Sequence, residues 1–132
     1  MVLSDAKGLP LAVGIDSASL AEVDLIEPLL DSAATLTVPD KLIYDRAADS
    51  DPLRERLADR GIELICPHRK GRKRPKTQDG RRLRRYKRRW TIERSIGWLH
   101  QFRRLIVRHE FYAYLYQGFL TLAAIVIAFR RL

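Results

Sequence analysis

An α/β fold is predicted, on three observations. Short apolar runs occupy residues 9–16, 41–44 and 62–66, and amphipathic helical patterns lie between them. Turn-forming residues bound each run, with Gly8 before the first, Asp45 after the second and Pro67 after the third. Strand, helix, strand, helix, strand is the order of an at least partly parallel sheet, because parallel neighbours need a crossover between them.

The elements follow in chain order. Residues 9–16, LPLAVGID, read as a buried strand. Ser19, with Glu22 three residues later, makes a capping-box signature. Leu20, Val23, Ile26 and Leu30 then recur at helical spacing to about Asp31, and residues 32–39 connect onward. KLIY at 41–44 is a short strand that runs directly into Asp45. Ser50, Asp51 and Pro52 supply an N-cap and a first-turn proline for a helix whose apolar face carries Leu53 and Leu57. Gly61 can end that helix in a left-handed conformation, and IELIC at 62–66 is the third strand. A further helix is expected from about Arg84 to Arg104 or Val107, with Ile92, Ile96 and Leu99 on its buried face.

Residues 111–129 carry no charge, which is enough length for a membrane span. Tyr112, Tyr114, Tyr116, Gln117, Gly118 and Thr121 within it favour a buried terminal helix instead. The expected organisation is one α/β domain over 1–110, with a basic loop at 67–84, and an apolar helix at 111–132 packed on it.

Charge is the strongest compositional signal. The net charge is +9 and the pI about 10.2. Residues 1–66 hold 6 Lys/Arg against 13 Asp/Glu, whereas residues 67–132 hold 19 against 3. Residues 69–89 alone contain 13 Lys/Arg. Such a block points to a polyanionic partner, nucleic acid before an anionic membrane surface. The single cysteine, Cys66, excludes an internal disulfide and follows an apolar run, so a buried thiol is expected. His68, His100 and His109 form no zinc spacing with it. Met1 leads into Ser4, Asp5, Ala6 and Lys7 rather than a basic-then-apolar leader, and a cytoplasmic location is expected.

Two acids stand out. On the expected helix Tyr86, Glu93 and His100 are spaced by seven, and Arg89 sits four before Glu93, so one stripe would carry all four. The simple reading is an Arg89–Glu93 surface ion pair; the functional one is a carboxylate that binds a metal among cations that hold phosphates. Asp45 ends a strand, where functional residues of open α/β sheets collect, or it only caps a turn. Trp90 and Trp98 are either core residues or stacking residues at an opened strand end.

The stretch YKRRWTIERSIGWLH at 86–100 resembles the Y-(2)-R-(3)-E-(6)-K signature of the IS4/IS5 group of insertion-sequence transposases. Tyr86, Arg89 and Glu93 match, and His100 stands in the place of the lysine. KLIYDRAADSDPLRERLADRGIELICPHR and GLPLAV are also similar to the IS5 family, so the resemblance covers nearly the whole chain. It implies an RNase H-like fold, here incomplete, with three short strands, flanking helices and long C-terminal helices. A D-D-E triad would hold two Mg²⁺ ions, with Asp45 as the second aspartate and Glu93 as the glutamate. Tyr86 and Arg89 would lie beside the scissile phosphate or the carboxylates, with Arg85, Lys87, Arg88 and His100 on the DNA backbone.

The family's first aspartate precedes the segment like GLPLAV, and Asp5 and Asp16 are misplaced to substitute for it. The resemblance therefore implies a transposase fragment acting on insertion-sequence ends by metal-dependent strand cleavage and transfer, inactive unless joined by an upstream product. A homo-oligomer is the other assembly expected. The alternative function is a non-catalytic DNA-binding remnant that inhibits an intact transposase. A membrane-bound role rests on residues 111–129 alone.

Overall fold

The computed structural model describes residues 1–33, 37–78 and 80–131. Residues 34–36 of the expected connection, Asp79 of the basic loop and Leu132 lie outside the described residues. The fold is mixed α/β, with four short strands rather than three among the described residues and six α-helices. Two compact units divide the chain, Met1–Ala34 with Trp90–Leu132, and Thr35–Arg89.

The first unit begins with an antiparallel hairpin of β1 (Val2–Ser4) and β2 (Pro10–Val13). Val2 faces Val13 and Leu3 faces Ala12, and the register slips so that Ser4 faces Pro10. Three residues are too short to show a period, so β1 is recognisable only through its pairing. Asp5 closes the hairpin loop by accepting from the Lys7 and Leu9 amides at 2.8 Å each. Gly8 adopts φ +85° in that loop, and a Cβ there would lie 3.2 Å from Thr91 Cγ2 and Ser95 Oγ.

Helix α1 (Glu22–Asp31) covers the hairpin with Ile26 and Leu30. The Ser19–Glu22 capping box does not form. Ala21 is the N-cap, Glu22 is the first helical residue, and the Ser19 hydroxyl pairs with Ser17 at 2.8 Å. A box needs the acid at the third helical position, and the helix starts two residues too late.

Helix α4 (Trp90–Leu99) is followed by α5 (Arg103–Ile106) and α6 (Ala113–Arg131). The continuous helix expected over 84–107 is broken twice. Residues Arg84–Arg89 form a 3₁₀ segment after the short α3 (Gly80–Leu83), and Phe102 is extended between α4 and α5. The Phe102 turn lets Leu99 and Leu105 enter one core with Leu120, Ala123 and Ile127 of α6. The buried face of α4 is Thr91, Ser95 and Leu99, so Ile96, expected inside, is exposed. Ser95 is chosen by a hydrogen bond rather than hydrophobicity, its hydroxyl donating 2.6 Å to the Gly8 carbonyl.

Helix α6 rests on β2. The Gln117 side chain accepts from the Ile15 amide at 3.0 Å and donates to the Val13 carbonyl at 2.8 Å, extending the strand's hydrogen bonding. Tyr116 donates to the Leu105 carbonyl at 2.8 Å. One flank of α6 is buried and much of the rest is exposed, so it is not the fully buried terminal helix that its composition suggests.

The second unit pairs β3 (Lys41–Ile43) with β4 (Glu63–Ile65) in parallel, Leu42 facing Leu64. Helix α2 (Asp51–Asp59) makes the crossover. Ser50 caps it by accepting from the Leu53 amide at 3.4 Å, and Gly61 follows at φ +77°, both as the sequence indicates. Leu53, Leu57, Ile62, Leu64, Ile65 and Cys66 are buried. Each large aliphatic side chain among them stabilises the unit by about 2 kcal/mol.

Candidate active site

The candidate site of the second unit sits at the carboxyl end of β3. Asp45 lies two residues beyond the end of the strand and caps a one-turn 3₁₀ helix, Arg46–Ala48. Its Oδ1 accepts from the Ala47 amide at 2.8 Å. Its Oδ2 lies 3.7 Å from Arg89 Nη2, and Arg89 Nη1 donates to the Tyr86 hydroxyl at 3.1 Å. Tyr86, Arg89 and Asp45 thus form one chain of contacts, half-exposed to water. Tyr86 and Arg89 meet because a 3₁₀ segment repeats every three residues.

That same geometry removes the stripe expected of an α-helix. Spacing by seven aligns residues only where 3.6 residues make a turn, and here the pitch changes at Trp90. Glu93 lies in the first turn of α4, in the other compact unit, with its side chain exposed. His100 is exposed just beyond the end of α4. Arg85 reaches 4.0 Å from Glu63, and Lys87 and Arg88 are exposed. No group of three His, Cys, Asp or Glu that could hold a metal ion occurs among the described residues. Asp45 has one oxygen capping a turn and the other turned to a guanidinium, which is not by itself a complete divalent-ion site.

Sequence reasoning missed how the acidic half anchors the basic loop. Asp49 is buried and accepts from Arg54 Nη2, the His68 ring and the Arg69 amide, each at 2.8 Å. The Thr77 amide donates to His68 Nε2 at 3.2 Å, so Nδ1 carries the proton that bonds Asp49. Arg72 reaches Asp51 at 2.8 Å and Arg74 reaches it at 3.0 Å. Arg69 also donates to the Arg46 and Ala47 carbonyls, beside Asp45 in sequence. Arg69, Arg72 and Arg74 of the loop are therefore structural, and the loop's clustering of charge did not single them out.

The titration behaviour follows from these contacts. Burial pushes the Asp49 carboxyl up, but the hydrogen bonds from Arg54, Arg69 and His68 outweigh it and hold the group well below the usual carboxylate range. The bonds from Arg72 and then Arg74 lower Asp51. Burial pushes the Cys66 thiol up, with Arg54, 2.9 Å from its sulfur, opposing.

On α4 the Arg94 guanidinium lies between Trp90, 4.8 Å from its ring, and Trp98, 5.1 Å away. Arg94 also donates to the Lys7 carbonyl, and Arg131 stacks 3.6 Å over Trp98. Trp98 packs against the core while Trp90 is exposed, so the two tryptophans have different surroundings.

The profile of a family described as the transposase DDE domain matches residues 1–128. A protein of Burkholderia cepacia, named as a transposase for insertion sequence element IS402, is 34% identical over 139 residues. The match covers 99% of this chain and 62% of that relative, so this chain spans less than two thirds of the relative's length. No solved structure matches.

Proposed function

The chain belongs to the transposase DDE-domain family, and from that premise we propose that it is the part of an IS5-type enzyme that carries two of three metal-binding carboxylates. Asp45 and Glu93 are those two, and the chain acts on insertion-sequence ends in DNA strand cleavage and transfer. Arg85, Lys87, Arg88 and His100 hold backbone phosphates. The observation that carries this reading is the Tyr86–Arg89–Asp45 chain of contacts at the end of a parallel strand, where ligand sites of such sheets form.

The roles follow from the chemistry of each group. Asp45 is oriented by the Ala47 amide, which donates to one oxygen, and by Arg89 beside the other. Arg89, oriented by Tyr86, would hold a phosphate oxygen beside Asp45. In a complete site Mg²⁺ on Asp45 and Glu93 would activate a water or a 3′-hydroxyl and stabilise the leaving oxygen. Two carboxylates hold such ions weakly, so this chain alone is expected to bind DNA without cutting it. A further carboxylate from outside residues 1–132 would complete it, in the cytoplasm at the nucleoid. The neighbourhood of Asp45 favours one second reading: a carboxylate engaged by Ala47 and Arg89 also suits a DNA-binding remnant that inhibits an intact transposase.

The test is DNA binding and strand cleavage with Mg²⁺ or Mn²⁺, for the native chain beside Asp45→Ala and Glu93→Ala. Salt-sensitive binding without cleavage by any form supports the reading. Cleavage that either substitution abolishes refutes the claim of incompleteness, and absence of binding at low salt refutes the DNA role.

A further inference from the structure

Helix α6 carries two apolar seams, and the chain itself uses one. Tyr116, Leu120, Ala123 and Ile127 face the core. Leu115, Phe119, Leu122, Val126 and Phe129 follow one another at alternating steps of four and three residues, the spacing of a coiled-coil seam, and Tyr112, just before the helix, extends it. This second seam lies roughly 110° round the helix from the first. It stays open, with Tyr112 56%, Leu122 59% and Phe129 80% exposed. Phe102 and Leu105 border its middle and form a shallow groove with Phe119, Leu122 and Val126.

We propose that this seam is the contact surface for a second copy of this chain, with the two α6 helices packed antiparallel. A seam at strict coiled-coil spacing fits another helix with the same spacing, and α6 supplies one. Charge selects the orientation. Residues 111–129 are neutral and Arg130 and Arg131 follow, so a parallel pair would gather four guanidinium groups at one end. Arg131 stays over its own Trp98, and an antiparallel pair instead brings Arg130 to the partner helix's exposed aromatic cluster. There Phe111 and Tyr112 meet edge-on at 5.2 Å, and Tyr112 and Tyr114 stack at 5.5 Å. A cation over such a ring is favourable, and antiparallel helix dipoles attract.

The available area is sufficient. At ~200 Å² per large apolar side chain, the exposed parts of Phe111, Tyr112, Leu115, Phe119, Leu122 and Phe129 amount to roughly 700 Å², against ~800 Å² per partner in a stable interface. A bilayer is the competing occupant, because α6 is long and apolar enough to cross one. Gln117 argues against it. Its amide is bonded to the Ile15 amide and the Val13 carbonyl, and a spanning helix would lose both bonds or draw the hairpin into lipid.

The experiment is sedimentation equilibrium of the full chain at tens of micromolar, without DNA or detergent. A dimer is expected whose dissociation constant rises at least about a hundredfold in Leu115→Glu/Leu122→Glu. Both side chains are exposed in the single chain, and circular dichroism checks that the variant stays folded. Thr121→Glu, off the seam, should leave the dimer unchanged. Leu122→Cys should crosslink between copies whereas Leu115→Cys should not, because antiparallel pairing sets the latter ~16 Å apart along the axis. A monomeric native chain, a dimer indifferent to the seam substitutions, or one broken equally by Thr121→Glu overturns the interface. Binding to phosphatidylcholine vesicles that the seam substitutions abolish assigns the face to lipid and overturns it too.

Discussion

Truncating Asp49 to alanine should loosen the second compact unit severely while leaving the first intact. The carboxylate is 2% exposed, and Arg54, at 11%, is nearly as deep. Removing it leaves the Arg54 guanidinium, the His68 Nδ1 proton and the Arg69 amide without their acceptor. Breaking a buried pair by deleting one partner costs about 3 kcal/mol, because a charge stays buried without compensation. That is a large share of the roughly 5–15 kcal/mol by which domains are stable.

Hydrogen exchange reads the effect in the right place. Amides of α2 and β4 should exchange roughly a hundredfold faster in Asp49→Ala at neutral pH. Both tryptophans, Trp90 and Trp98, lie in the other unit, so their fluorescence unfolding curve serves as an internal reference and should barely move. The pH dependence has a definite sign. The folded carboxyl titrates below its unfolded value, so its contribution is present above the unfolded value and is lost as pH falls through the acid range toward the folded one. The difference between native and variant chains should therefore shrink below about pH 4, where the unfolded carboxyl takes up its proton. A difference under about 0.5 kcal/mol at pH 7, or one that persists unchanged into strong acid, would refute the role given to this cluster.

Two further outcomes are expected. Gly8→Ala should destabilise the first unit by about 1–2 kcal/mol, since it places a Cβ at positive φ and 3.2 Å from Thr91 and Ser95; urea unfolding followed by tryptophan fluorescence measures it, and no shift in midpoint would contradict the close packing. Lys87→Ala/Arg88→Ala should weaken DNA binding across sequences and lower the slope of log affinity against log salt by about 2, and an unchanged slope would remove both residues from the phosphate contacts.

The sequence by itself determined the second unit closely. Ser50, Pro52, Leu53, Leu57 and Gly61 act through local rules of capping, periodicity and backbone conformation, and α2 forms between parallel β3 and β4 as they require. The buried Cys66 also follows from its neighbours. The transposase family was legible in the sequence, although the α-helix expected to carry Tyr86, Arg89 and Glu93 was not formed as one element.

Tertiary structure decided what depended on distant partners. The hairpin strand β1 exists through its pairing with β2, and Ser95 displaces Ile96 from the core because a carbonyl at Gly8 needs its hydroxyl. The change to 3₁₀ pitch brings Tyr86 onto Arg89 and places Arg89 beside Asp45, forty-four residues earlier. Which cations of the basic block are structural was settled by Asp49 and Asp51, since a charge shows its partner only once the fold brings the two within reach. Helical period fixed that α6 would be apolar, but the length and position of β2 and α5 set how little of that surface the chain covers, and an apolar seam left uncovered is the physical basis for association.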